Sequence, residues 1–226
     1  MAFTALYDAN VLHPPGLRDL LVRLGQTGLF RARWTEQILD EMVRSILRRR
    51  PDLDHQRLER TRALMCDAVA DCLVTGYEPL IDALVLPDVD DRHVLAAAIR
   101  CSAQVIVTAN LHDFLVSVLE RFNVEAQGPD QFVLDLVDLA PARVATVVQQ
   151  QAAALRNPTR TVDDLLEELG KRGIPERRPR FDRRSTADPS SDERPDEPAV
   201  PNEVVIAPPV SARMPGENSR TGRSAR

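Results

Sequence analysis

"FTALYDANVL", residues 3–12, is the stretch that decides the fold. Five apolar or β-prone residues run into Asp8 without polar alternation, so the strand they form is buried on both faces. That is the habit of a parallel sheet. A second strand of this kind stands at "AQVIVTAN" (103–110), where Val105, Ile106, Val107 and Thr108 are β-branched in a row. Around these strands the period turns helical. "GLRDLLVRLGQ" (16–26) sets Leu17, Leu20, Leu21 and Leu24 on one helix face, and Asn10 to Gly16 before it reads as a turn region. "LFRARW" (29–34) reads as another strand. Thr35 can cap the next helix, with Trp34 and Leu39 as the apolar pair that staples its entry. Residues 56–72 are helical by period, "HVLAAAIRCS" (93–102) is an alanine-rich helix, and "NVEAQGPDQFVLDLV" (123–137) reads as strand, turn and helix. Alternating strands and helices of this kind predict an α/β fold with a parallel sheet covered on both faces.

The chain has 226 residues and a formal net charge of -5, enough for one ordinary domain plus additional segments and without the basic excess of a duplex-coating protein. Lys171 is the one lysine; the other basic residues are arginines. Cys66, Cys72 and Cys101 lack CxxC spacing and read as reduced thiols. No apolar run approaches the ~20 residues that span a bilayer, and the N-terminal stretch lacks a basic leader region, so a cytoplasmic protein without membrane association is expected. Two further helices are expected at "PARVATVVQQQAAALRN" (141–157) and "TVDDLLEELGKRG" (161–173), as an appendage. Beyond Pro175 the composition changes: nine of the 17 prolines lie from there on, with one aromatic residue, Phe181. This tail is expected to be disordered. "NEVVIAPPV" (202–210) is a candidate docking fragment within it, although a fragment of this kind more often carries no function. The organisation expected is a main α/β domain over 1–135, a small C-terminal helical extension over 136–175, and a Pro/Arg-rich tail over 176–226.

The chemistry-bearing pattern is acidic. Asp8 ends the first strand, Asn110 and Asp113 follow "VIVT", and "LPDVDDRHVLAAAI" (86–99) sets Asp88, Asp90 and Asp91 before a helix. Ligands gather at the carboxyl ends of strands in such sheets. Glu41 lies near the edge of the apolar stripe Ile38, Met42, Ile46. Acids drawn from four segments can converge there only with counter-charge, for which a hard divalent cation with oxygen ligands is suited. Each also has a plainer reading: aspartate caps helices and builds turns. His13, His55, His93 and His112 form no HxxxH or HExxH pattern, and His93 and His112 read as surface or supporting groups. No GxSxG, GxxxxGK[ST] or GxGxxG occurs.

Taken together, "LYDANVL", "WTEQILDEMVR", "DVDDRHVLAAAI" and "VIVTANLHDF" resemble the PIN-domain ribonucleases, the family that includes the VapC toxins, over residues 3–135. The resemblance implies a three-layer α/β/α sandwich and an endoribonuclease dependent on Mg²⁺ or Mn²⁺. It implies an acidic quartet, carried here by Asp8, Glu41, Asp91 and Asp113, with Asp8, Asp91 and Asp113 holding the metal. Asp90 is then expected to cap the helix, Asp88 to sit in a turn or behind the ligands, and Asn10 and Asn110 to support them. It further implies an RNA substrate and a cognate antitoxin, and leaves a homodimer open. Arg44, Arg48, Arg49 and Arg50 of "RSILRRR" are the candidate phosphate contacts, with a solvated helix end as the plain alternative. A haloacid-dehalogenase-type phosphatase also ends its first strand in aspartate. It needs a second acid two residues on, where this chain has Asn10, and a lysine near the site. A non-catalytic RNA- or protein-binding module on the same scaffold is the remaining alternative.

Overall fold

The computed structural model describes residues 2–154. The elements run β1 (Phe3–Tyr7), α1 (Ala9–Leu12), α2 (Pro15–Gly25), β2 (Phe30–Arg33), α3 (Glu36–Arg49), α4 (His55–Ala68), α5 (Glu78–Ile81), α6 (Arg92–Arg100), β3 (Val105–Val107), α7 (Val116–Leu119), β4 (Glu125–Gln127), α8 (Pro129–Leu139) and α9 (Pro141–Ala154). All strand pairs are parallel, in the order β2-β1-β3-β4. The chain leaves β1 toward β2 and then crosses back over β1 to β3. Right-handed crossovers in opposite directions put α2 and α6 on opposite faces of the sheet, which makes the sandwich. The reversal of direction lies between β1 and β3, where such folds place their sites.

The sequence explains where the core lies. Ala5, Leu6, Tyr7, Ile106 and Val107 are completely buried, as their unbroken apolar runs require. One face is aromatic: Phe132 of α8 meets Phe30 edge-on at 5.1 Å, Phe3 stacks on Phe30 at 5.5 Å, and Tyr7 stacks on Trp34 at 6.1 Å. On the other, Val94, Leu95 and Ala98 of the alanine-rich α6 are buried, and α6 packs on β1 and β3 through small side chains that admit close approach. Thr35 caps α3 by accepting from the Ile38 amide at 3.0 Å, and Trp34 and Leu39 are both buried at its entry.

Three local expectations are corrected. The Asn10–Gly16 stretch is not a turn region: Ala9–Leu12 is a helical turn, and α2 already begins at Pro15. The buried guanidinium of Arg18 reaches back to the Leu12 and His13 carbonyls at 2.8 and 3.3 Å, taking up carbonyls that the short helix leaves open. The helix expected over 56–72 stops at Ala68, and Asp71 then adopts a left-handed conformation at φ 54°. Finally, α9 is no appendage. Its Val144, Val147 and Val148 join the main core, and Gln151 donates to the Gly16 carbonyl at 2.8 Å. The helix expected at 161–173 and the tail from 176 lie outside the described residues.

Candidate active site

Asp8 follows β1 directly and keeps the strand's hydrogen bonding, donating its amide to the Val107 carbonyl at 3.1 Å. Its carboxylate is therefore fixed at the carboxyl end of the central strands, only 4% exposed. One oxygen, Oδ2, accepts from Thr108 Oγ1 at 2.8 Å and from Asn10 Nδ2 at 2.6 Å. Burial nevertheless raises the Asp8 pKa above the usual range, outweighing those bonds, and the negative charge of Glu41 adds to the rise. Thr108 is wholly buried and ties three segments together, since its hydroxyl also accepts from Asn10 Nδ2 and the Asn110 amide, both at 3.0 Å. Asn10 completes the splice by accepting from the Ala109 amide at 2.9 Å.

The loop before α6 brings the other acids. Carboxylate oxygens of Asp88, Asp91 and Asp113 all lie within 4.8 Å of one another. Asp113 ends the short 3₁₀ turn Leu111–Asp113 and is held by Asn110, whose amide donates to its Oδ2. Asp91 occupies the position before the first helical residue of α6, yet its side chain caps nothing, and its Oδ2 is buried without a hydrogen-bond partner among the described residues. Its pKa is pushed up to about 7, by burial first and then by the charges of Asp8, Asp88 and Asp113. Four carboxylates thus act on one another across two loops and a strand end.

Glu41 stands at the side of this group. Its Oε1 lies 3.0 Å from Nε2 of His93, which is 3% exposed, so the imidazole fixes the carboxylate that α3 presents. His93 Nδ1 is buried without a partner among the described residues. The charge of Glu41 reaches Asp8, as noted, but Glu41 does not belong to the tight cluster of oxygens.

Of the residues expected at the site, Asp91 and Asp113 come together, with Asp8 close enough to Asp91 to raise its pKa. Asp90 does not cap α6: the cap position is Asp91, and Asp90 is exposed, donating its amide to Asp88 Oδ1 at 2.8 Å. Asp88 makes that turn and still joins the oxygen cluster, so one carboxylate serves both purposes. His93 is neither at the surface nor idle, whereas His112 is largely exposed, 3.4 Å from Asp113. Thr108 was missed because β-branched residues in a strand register as packing; a hydroxyl in an otherwise aliphatic run was the available signal. Of the arginine patch, Arg50 is held by both oxygens of Asp52 at 2.9 and 2.7 Å, and Arg44 lies 3.8 Å from Glu41. Arg48 and Arg49 are exposed and form no ion pair among the described residues.

The donor set is all oxygen, dense in charge, and includes one buried acceptor without a proton donor. This fits a hard divalent cation and not zinc, which draws nitrogen and sulfur.

Comparison with known proteins agrees with this geometry. Residues 4–112 match the family model described as the PIN domain, and residues 129–176 match that of the VapC50 C-terminal domain. A curated protein of Mycobacterium tuberculosis (strain ATCC 25618 / H37Rv), named "Putative ribonuclease VapC50", is 41% identical over 96 residues, which is 42% of this chain and 56% of that protein. The matched region thus spans little more than half of that relative. No solved structure matches the chain.

Proposed function

We propose that this chain, which matches the PIN-domain model over residues 4–112 and the VapC50 C-terminal domain model over residues 129–176, is a metal-dependent endoribonuclease, the toxin of a toxin–antitoxin pair. The observation that carries this reading is the oxygen cluster of Asp88, Asp91 and Asp113 beside buried Asp8, at the switch point of a parallel sheet. Asp8, Asp91 and Asp113 would hold Mg²⁺ or Mn²⁺, and Asp88 joins them as a candidate ligand. Bound there, such a cation would offset phosphate charge and make a water acidic enough to attack phosphorus in line.

The protein's own groups divide the remaining work. Thr108 and Asn10 occupy Asp8 Oδ2 and so fix how that carboxylate faces the cluster. Asn110 does the same for Asp113. His93 holds Glu41, whose carboxylate would orient a water at the cluster's edge or accept its proton. Arg44, Arg48 and Arg49 lie on α3, the helix that carries Glu41, and are the groups to contact flanking phosphates. Attack by water on the phosphodiester would leave a 5′-phosphate and a 3′-hydroxyl. An antitoxin as binding partner follows from the toxin reading and from no geometric feature of its own.

The test is cleavage of structured RNA by the purified full chain. Activity is expected to vanish in EDTA and to return with Mg²⁺ or Mn²⁺, with 5′-phosphate ends on the products. Undiminished cleavage in EDTA would remove the metal from the reading. Binding of RNA without cleavage under every divalent cation would favour the non-catalytic module.

A further inference from the structure

Two cysteines outside the acidic cluster come together at the end of α4, and the local backbone explains why. Cys66 lies in the last turn of α4, which ends at Ala68. The left-handed Asp71 lets the chain turn back, and Cys72 is then pinned by its carbonyl, which accepts from the Trp34 amide at 2.9 Å. The Cys72 thiol donates to the Cys66 carbonyl at 3.8 Å, an ordinary distance for sulfur, and shares a hydrogen bond with the Cys66 thiol. Both thiols are free. Among the described residues no third ligand joins them, so they do not form a zinc site.

The two sulfurs are chemically unlike. Cys66 is half-buried, and its pKa is brought down to about 7. The Cys72 thiol is the main cause; the Trp34 indole and the Arg62 guanidinium act the same way, against burial and the charge of Glu36. Cys72 is only 3% exposed, and its pKa is raised, by the bond to Cys66 first and by burial next. The pair therefore keeps its shared proton on the inner sulfur and places the anion on the outer one. Cys101 is the contrast. It is half-buried like Cys66, yet its thiol donates to the Ala98 carbonyl at 3.7 Å and burial raises its pKa. Exposure does not separate Cys66 from Cys101; the neighbouring thiol does.

We propose that Cys66 and Cys72 are a thiol-oxidation site for hydroperoxides, with Cys66 the attacking sulfur and Cys72 the one that resolves it. The Cys66 thiolate attacks the terminal peroxide oxygen. An S–O bond forms, the O–O bond breaks, and the sulfur gives two electrons to the oxidant, which leaves as water or an alcohol after taking up a proton. Cys72 then displaces hydroxide from the Cys66 sulfenic acid, and the Cys72 proton completes the water that departs. In sum, two thiols and one hydroperoxide give one disulfide, one water and one water or alcohol. The bond would close only the short loop from 66 to 72, so little chain entropy is gained, and a reversible modification suits it better than a structural staple. Trp34, the one tryptophan of the chain, is held by Cys72 and reports on the pair. The inference stands apart from the nuclease reading.

Peptide mapping of the reduced full chain, before and after one equivalent of hydrogen peroxide, tests this. Near pH 7, iodoacetamide should modify Cys66 at least about fivefold faster than Cys101, since more of its thiolate is present and reachable. Peroxide should join Cys66 to Cys72 within one chain, leave Cys101 free for alkylation, and change the Trp34 emission; dithiothreitol should reverse both effects. In Cys72→Ser, which keeps a hydrogen-bond donor, dimedone should trap a sulfenic acid on Cys66. In Cys66→Ser, peroxide should leave the emission unchanged. If Cys72→Ser does not fold, the map of the parent chain decides alone. Equal alkylation of Cys66 and Cys101 would overturn the proposal. So would a disulfide joining two chains, or oxidation of Cys66 past the sulfenic acid in the parent without a bond to Cys72.

Discussion

Asp91 is where sequence and structure differ by one residue in a way that matters. In a run of aspartates before a helix, capping and metal binding ask for the same side chain, and the letters alone do not say which residue does which. The chain resolves this by letting Asp91 start α6 without using its carboxylate as a cap. The oxygen so released is buried beside three other acids. Asp91→Asn keeps the shape and removes charge; cleavage should fall by orders of magnitude, and apo thermal stability should hold or rise as repulsion is relieved. Asp90→Ala should leave both nearly unchanged, because Asp90 is exposed and its carboxylate supports nothing visible, whereas a true cap would lose ~1 kcal/mol. Melting and cleavage on the two variants check this, and an inactive Asp90→Ala enzyme would move the site by one position. The supporting residues were less legible. His93 and Thr108 are two residues from Asp91 and Asn110 respectively, but only tertiary contact shows that one reaches Glu41 and the other Asp8.

At the scale of elements, the periodic segments were legible because burial imposes a pattern: two-sided for β1 and β3, one-sided for α3. What escaped was set by contacts distant in sequence. Four residues of α1 are too few to show a period, and Arg18, from the next helix, takes up the carbonyls at their end. α9 looked detachable because its apolar residues are modest, yet it packs on α2 and α8. The splice between β1 and β3 belongs to the same class, being built by Thr108 and Asn10 across about a hundred positions. Thr108→Val conserves volume and strand preference but removes the hydroxyl that three partners share. It should cost ~1–3 kcal/mol by leaving buried groups unmade, and it should weaken Mg²⁺ binding by freeing Asp8 to turn. Calorimetric titration with Mg²⁺ beside a denaturant melt separates the two effects; unchanged affinity would mean that the network only stabilises the fold.

For the whole molecule, the acids place a charge cost on the fold that depends on pH, and the direction follows from the raised pKa values. Asp91 titrates near 7 and Asp8 above its ordinary value in the folded state, against ~3.9 for an unfolded aspartate. Between about pH 4 and 7 the folded chain therefore holds protons that the unfolded chain has lost, and stability falls as pH rises through that window. With EDTA present, the melting temperature should decline from pH 5 to pH 8. Asp91→Asn should flatten the decline but not abolish it, since Asp8 and the buried Asp19, also raised by burial, still contribute. Mg²⁺ competes with those protons, so it should do little at pH 5 and much at pH 8, where a concentration 100 times its Kd adds about 2.7 kcal/mol. A scan over pH with and without Mg²⁺ reads both slopes. If the apo protein grew more stable toward pH 8, or if Mg²⁺ stabilised equally at both ends, the carboxylates would not be the charge that the cation relieves, and the cluster at the strand ends would lose its claim to be the metal site.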